Sequence, residues 1–251
     1  KKWAFLGTTF LILSPRIFAN SFYNPKDLIF MSLIIISLFY YFKFLKVSNF
    51  KNCFLFGFFI AIATSSKSLA LIVVFVFILF FLLFCISKKE FFLKNIKFYI
   101  LGLSSYIIFT YLFWPYLWND PIGNLITSLK IYSDYPVKIH MLYNASYVRS
   151  DNLPWHYLFT WIGITTPVIY SIFFIFGYSI IVAKFSKKFL VVDIPKKEDD
   201  FWTDINEKFD LNIFILLTGV FFIVIKLNAT LYTGWRHMFF VYPLIIYISI
   251  F

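Results

Sequence analysis

Residues 53–86 read CFLFGFFIAIATSSKSLALIVVFVFILFFLLFCI, 34 positions whose one charge is Lys67. A helix crosses the hydrocarbon core of a bilayer with about 20 predominantly apolar residues, so this run is too long for one crossing. Split at Ser65-Ser66-Lys67, it becomes two apolar helices joined by a tight polar tip. The reading sets the class of the whole chain. Solid apolar runs exclude a membrane barrel, which shows alternating polarity in segments of about ten residues. With backbone groups unable to find water in lipid, only helices remain.

The pattern extends outward from this run. Candidate spans lie at 3–13, 28–45, 52–64, 68–86, 97–118, 156–183, 211–225 and 238–251, which predicts an all-α, polytopic transmembrane bundle of about eight spans. The composition agrees, with 61% hydrophobic and 14% charged residues and a mean hydropathy of +0.82, outside the range of soluble domains. The chain opens at Lys1-Lys2-Trp3 without an initiator Met and stops inside an apolar run at Ile250-Phe251, so it is expected to be a fragment, a single transmembrane domain (1–251) truncated at both ends. Cys53 and Cys85 fall in or beside spans and suggest no disulfide framework.

Alternating the loops across a membrane sorts the charges. Lys1, Lys2, Lys43, Lys46, Lys51, Lys88, Lys89, Lys94, Lys97, Lys184, Lys187, Lys188, Lys196, Lys197 and Lys208 fall on one side, 15 of the 23 basic residues. The positive-inside rule places that side in the cytoplasm, with 184–210 as a cytoplasmic loop. The net charge of +11 is then explained by topology and anionic lipid, and no nucleic-acid partner is implied. The same assignment puts Arg16, Arg149, Arg236, all three His, and Asp27, Asp120, Asp134 and Asp151 outside, so the chemically varied polar groups gather at the extracytoplasmic face.

That face contains the stretch Ser14-Pro-Arg-Ile-Phe-Ala-Asn-Ser-Phe-Tyr-Asn-Pro-Lys-Asp27. Asp27 stands at the head of a long apolar helix, where it either caps free N–H groups or serves as a positioned catalytic carboxylate. Arg16 and Asn24 flank it as candidate phosphate contacts. Lys67 either snorkels from a helix end or binds phosphate as a point charge. In Gly234-Trp-Arg-His237, Arg236 has the fork geometry for phosphate and His237 can donate to phosphate or carry a proton, though Arg beside Trp is also an ordinary interfacial anchor.

The longest outer loop, 119–155, carries Asp120-Pro121 and then Ile122, Leu125, Ile126, Leu129 and Tyr132 at helical spacing. This predicts a surface helix capped by Asp120 and lying on the membrane. Arg149 and Asp151 are expected to dock the loop before Leu153-Pro154-Trp155-His156 re-enters the next span. Asn144-Ala145-Ser146 and Asn228-Ala229-Thr230 match the glycosylation sequon. No metal-ligand spacing or Gly-rich phosphate loop occurs, so no metal site or cofactor is assigned and divalent-metal dependence stays open.

Taken in order, Ser14 to Asp27, the Thr64-Ser-Ser-Lys67 tip, Leu153-Pro-Trp-His-Tyr157 with Thr165-Thr-Pro167, and Gly234-Trp-Arg-His237 resemble the GT-C superfamily of membrane glycosyltransferases, in the branch of protein mannosyltransferases and aminoarabinose transferases. The resemblance implies transfer of a sugar from a polyprenyl-phosphate carrier to an acceptor hydroxyl at the extracytoplasmic face, in a bacterial cytoplasmic membrane. It also implies that Asp27 is the second acidic position of the family, and that the main base lies in a first outer loop upstream of Lys1. The acceptor (protein, lipid or polysaccharide) stays open. The competing readings are a carrier-lipid-dependent polysaccharide polymerase or ligase, a secondary transporter, for which internal repeats and charged helix interiors are missing, and a structural membrane subunit.

Overall fold

The computed structural model describes residues 2–87, 89–133, 137–190, 205–227 and 229–250. Lys88, Asp134, the sequon residue Asn228, and Lys196 and Lys197 with the acids between 193 and 204 lie outside the described residues. The protein is all-α in class and 79% helical. Four helices are long and apolar enough to cross a membrane: Pro25–Lys46, Asn95–Phe113, Val168–Lys187 and Asn206–Lys226.

In chain order the helices are α1 (Lys2–Leu13), α2 (Pro15–Asn20), α3 (Pro25–Lys46), α4 (Phe50–Ser66), α5 (Leu71–Ser87), α6 (Lys89–Phe113), α7 (Pro121–Ser133), α8 (Tyr157–Thr165), α9 (Val168–Leu190), α10 (Ile205–Lys226) and α11 (Tyr242–Ser249). The expected spans at 28–45, 52–64 and 211–225 fall inside α3, α4 and α10. Two others differ. The run at 156–183 is two helices, because Pro167 has no N–H to continue α8 and drives Thr166 into extended conformation, φ −97°, ψ 137°. The run at 238–251 begins with a 3-10 turn, Arg236–Val241, and leaves α11 with eight residues.

Proline sets the other breaks as well. Ser14 precedes Pro15 at the first position of α2, with ψ 116°, and Trp114 precedes Pro115 with ψ 81° at the end of α6. The residue before proline is pushed out of helical geometry, so each of these dipeptides turns the chain. At Lys67 the break is extended, φ −151°, ψ 121°, as the polar tip suggested.

The chain divides into two compact units. The first holds Lys1–Met31, Asn119–Tyr178 and Leu217–Phe251. Here α1 runs beside α11, Phe10 stacks on Tyr170 with centroids 4.2 Å apart, and Trp235, Phe239 and Tyr242 are fully buried together. Gly177 of α9 meets the backbone carbonyl of Ile248, an approach that only a residue without Cβ permits. This unit also contains a feature the hydropathy pattern did not reveal, an antiparallel hairpin of β1 (His140–Tyr143) and β2 (Ser146–Arg149). Its two turn residues, Asn144 at φ 49° and Ala145 at φ 58°, are both left-handed, the conformation that a two-residue hairpin of matching twist requires. In α7 the expected apolar face is outward, with Ile122, Ile126 and Leu129 exposed, and Asp120 caps the helix by accepting from Gly123 N at 2.9 Å.

The second unit holds Ser32–Trp118 and Ser179–Leu216. Although α4 and α5 are joined by the tip, α4 packs mainly along α6. Gly57 permits that closeness, since a Cβ there would press on the Gly102 carbonyl and the Ser105 side chain. Ser105 Oγ donates to the Phe54 carbonyl across the seam at 3.0 Å. Tyr41, Phe56, Phe77 and Tyr99 form a continuous aromatic core, and buried Tyr41 donates to Asn212 Oδ1 at 2.7 Å. Lys184 and Glu207 pair at 3.3 Å between α9 and α10.

The seam yields a direct test. Gly57→Val should destabilise the protein by about 1–3 kcal/mol, the range for overpacking a filled site. Gly163→Val, where nothing lies within 4 Å, should be neutral or stabilising, because valine is the better helix former. Thermal unfolding of both variants in one detergent checks the contrast.

Candidate functional site

The polar stretch at 14–27 folds into a ladder. Asn20 Nδ2 donates to the Arg16 carbonyl at 2.8 Å, Asn24 Nδ2 donates to Asn20 Oδ1 at 3.3 Å, and the same amide reaches Asp27 Oδ2 at 2.8 Å. Asn24 Oδ1 also accepts from the Asp27 backbone N–H at 3.4 Å. Asn24 is therefore the cap of α3, with Pro25 in the first helical position. This corrects the reading of Asp27 as the cap. The carboxylate lies inside the first turn, where the positive helix end favours it, and it is only 5% exposed.

The partner of this carboxylate comes from the far end of the chain. Arg236 Nε lies 4.0 Å from Asp27 Oδ2, while the guanidinium sits over the Tyr232 ring at 5.1 Å. His237 packs edge-on against the same ring, centroids 4.5 Å apart. The turn before them is left-handed at Thr233 (φ 58°) and Gly234 (φ 73°). A Cβ at Gly234 would stand 3.1 Å from Arg16 Nη2, so the glycine admits the second guanidinium to the same turn. Trp235 anchors it by donating Nε1 to Thr165 Oγ1 at 2.7 Å.

Arg16, Asn24, Asp27, Arg236 and His237 are thus all in the first unit, gathered around the start of α3 and the Gly234 turn. Lys67 belongs to the second unit and is 6% exposed. At the centre of the first-unit group, Arg16 Nε and Arg236 Nε are buried and make no hydrogen bond among the described residues. Buried donors are almost always satisfied; Arg236 Nε has only the Asp27 carboxylate, 4.0 Å away, and Arg16 Nε lies near the Gly234 turn, so both could bond a further acceptor. No group of three or more His, Cys, Asp or Glu able to hold a metal occurs among the described residues.

Two further features flank the turn. A shallow, half-open groove lies between Trp155, Tyr157 and Leu158 at the start of α8 and Val224, Ile225 and Leu231 at the end of α10. Beside it, Tyr143 of the hairpin bonds His156 Nδ1 at 2.7 Å and Thr160 Oγ1 at 2.9 Å. Sequence reasoning named neither Tyr143, whose partners lie 13 and 17 residues away, nor Tyr232, which meets Arg236 and His237 only because the chain turns at Thr233-Gly234.

Within 119–155 the chain is tied to itself. Arg149 grips Asp151 through two parallel bonds of 3.1 and 2.8 Å, and Lys138 lies 3.8 Å away. Partial desolvation pushes the Asp151 carboxyl up, but the Arg149 hydrogen bonds, its own backbone N–H and the charges of Arg149 and Lys138 together bring it below the ordinary carboxylate value.

No family model, curated protein or solved structure matches the chain.

Two outcomes follow from this geometry. Asn24→Ala removes the cap and the Asp27 anchor together and should cost about 0.5–2 kcal/mol in thermal stability. Because the Asp151 carboxyl is depressed in the folded loop, its contribution is complete above the unfolded carboxylate value of about 3.9 and fades as pH falls through the lower folded value. Amide protection in 138–151, taken as exchange relative to the intrinsic rate at each pH, should accordingly fall on acidification in the wild type, and Asp151→Asn should show the weaker protection already at neutral pH.

Proposed function

We propose that the protein is a membrane glycosyltransferase that moves a sugar from a polyprenyl-phosphate carrier to an acceptor hydroxyl at the extracytoplasmic face. The observation that carries the reading is the pair of buried guanidinium nitrogens, on Arg16 and Arg236, that lack an acceptor. Sugar transfer from a lipid phosphate builds negative charge on the departing phosphate, and preorganised cations aimed at that charge lower the barrier. Two arginines, one held by Asp27 and both converging on the Gly234 turn, fit that demand. Asp27 then serves to orient Arg236, and His237 with Asn24 completes the polar rim.

The proposal includes the sidedness read from charge: about eight crossings, the lysine-rich loops in the cytoplasm, the 119–155 loop outside with α7 laid on the membrane surface, and a bacterial cytoplasmic membrane as the setting. Lys67 is assigned to the same outer compartment. The resemblance of the quoted motifs to the GT-C superfamily supports this arrangement, and no metal or cofactor enters the reading.

In membranes carrying the full protein, with polyprenyl-phosphate mannose and polyprenyl-phosphate aminoarabinose offered in parallel, Asp27→Asn and Arg236→Ala should each reduce transfer by two orders of magnitude or more without lowering expression. Wild-type turnover in both would refute the site. For sidedness, Lys26→Cys in a chain with Cys53 and Cys85 replaced by Ser should react with an impermeant maleimide from outside; labelling from the cytoplasm alone would refute the topology.

A further inference from the structure

Three residues of the first unit that stand immediately before a proline carry buried hydroxyls: Ser14 before Pro15, Thr166 before Pro167 and Tyr242 before Pro243. Ser14 and Tyr242 are 0% exposed and Thr166 is 6% exposed. A serine or threonine inside a helix can donate to the carbonyl four residues earlier, as Thr165 does to Trp161 at 2.6 Å. Ser14 and Thr166 make no such bond. The proline after each holds its backbone extended, with ψ 116° and 137°, and this takes the side chain out of helical register.

The fold brings the three together. Thr165 accepts from Trp235 Nε1 at 2.7 Å, and Trp235 packs 5.6 Å from the Tyr242 ring, so Thr166 and Tyr242 are drawn to one place. On either side of Ser14, Phe10 stacks on Tyr170 and the Arg16 guanidinium lies 6.0 Å from the Phe239 ring. The Tyr242 hydroxyl interacts with both the Ser14 and the Thr166 hydroxyls, yet none of the three oxygens completes a hydrogen bond among the described residues. Burying a hydroxyl unbonded is costly, and converging buried polar groups are the surroundings in which proteins hold a water molecule. Each hydroxyl offers one hydrogen and two lone pairs, and water offers two of each, so one water can bond all three. No carboxylate, imidazole or thiolate is among them, and the nearest charge in sequence, Arg16, is positive, which selects a neutral ligand over a cation.

We propose that Ser14, Thr166 and Tyr242 form a binding site for one buried water, bonded to all three oxygens. The water joins the break between α1 and α2, the break between α8 and α9, and the start of α11, three places where proline has removed a backbone donor. Through Tyr242, which packs on Trp235, the site is linked to the anchor of the Gly234 turn. The inference stands apart from the transferase reading, and its test needs no substrate.

Two measurements decide it. A density map of the full protein sharp enough to show ordered solvent should contain one peak about 2.5–3.0 Å from each of Ser14 Oγ, Thr166 Oγ1 and Tyr242 Oη. A map without that peak, or with the tyrosine oxygen bonded directly to either of the other two, overturns the proposal. In thermal unfolding of the full protein, Ser14→Ala, Thr166→Val and Tyr242→Phe should each lower the apparent Tm by about 2–4 °C. The triple variant should lose less than the three single shifts added together, because the first hydroxyl removed already loosens the water and the last leaves no buried polar atom unbonded. Single variants that melt with the wild type, or shifts that simply add, overturn it too. Should a variant fail to fold, the wild-type map decides alone.

Discussion

A helix that starts or stops in an apolar setting leaves backbone N–H and C=O groups without partners, and this chain meets that constraint with Asx side chains and proline. At the head of α3, Asn24 supplies the acceptor and Pro25 removes a donor that would otherwise be orphaned. Asp120 and Pro121 repeat the solution at α7. The same chemistry that ends one helix and begins the next also places a carboxylate, Asp27, at a fixed height against the positive end of α3. Local helix-capping and the polar centre of the first unit are one arrangement.

The centre itself is held from three directions in sequence. The Asn20–Asn24 ladder fixes Asp27 from the N-terminal side, Trp235 fixes the Gly234 turn by bonding Thr165, and Tyr232 offers its face to Arg236 and its ring to His237. Burying guanidinium nitrogens without acceptors is costly, and here it is accompanied by ring contacts, Tyr232 beneath Arg236 and Phe239 near Arg16.

The architecture was legible wherever a run of apolar residues is bounded by charge, as in α3, α4 and α10. It was less legible where proline acts inside an apolar run: hydropathy sees 156–183 as continuous, but Pro167 divides it. The hairpin at 140–149 escaped because its turn is Asn144-Ala145, with no glycine to announce it. At the site, Arg16, Asp27, Arg236 and His237 stood out by residue type, while the division of labour between Asn24 and Asp27 did not, since either side chain is a good cap. The bonds that join Tyr143 of the hairpin to His156 and Thr160 are a combination that only the folded chain assembles.

The left-handed pair at the hairpin tip has a practical side. Asn144 and Ala145 are exposed, and the alanine sits where an L residue is strained. A short epitope inserted between them would relax the backbone while the ladder from His140 to Arg149 keeps its register. The tip is thus a natural handle for an antibody fragment, giving a small, lipid-embedded molecule the extra mass and asymmetry that imaging of single particles demands.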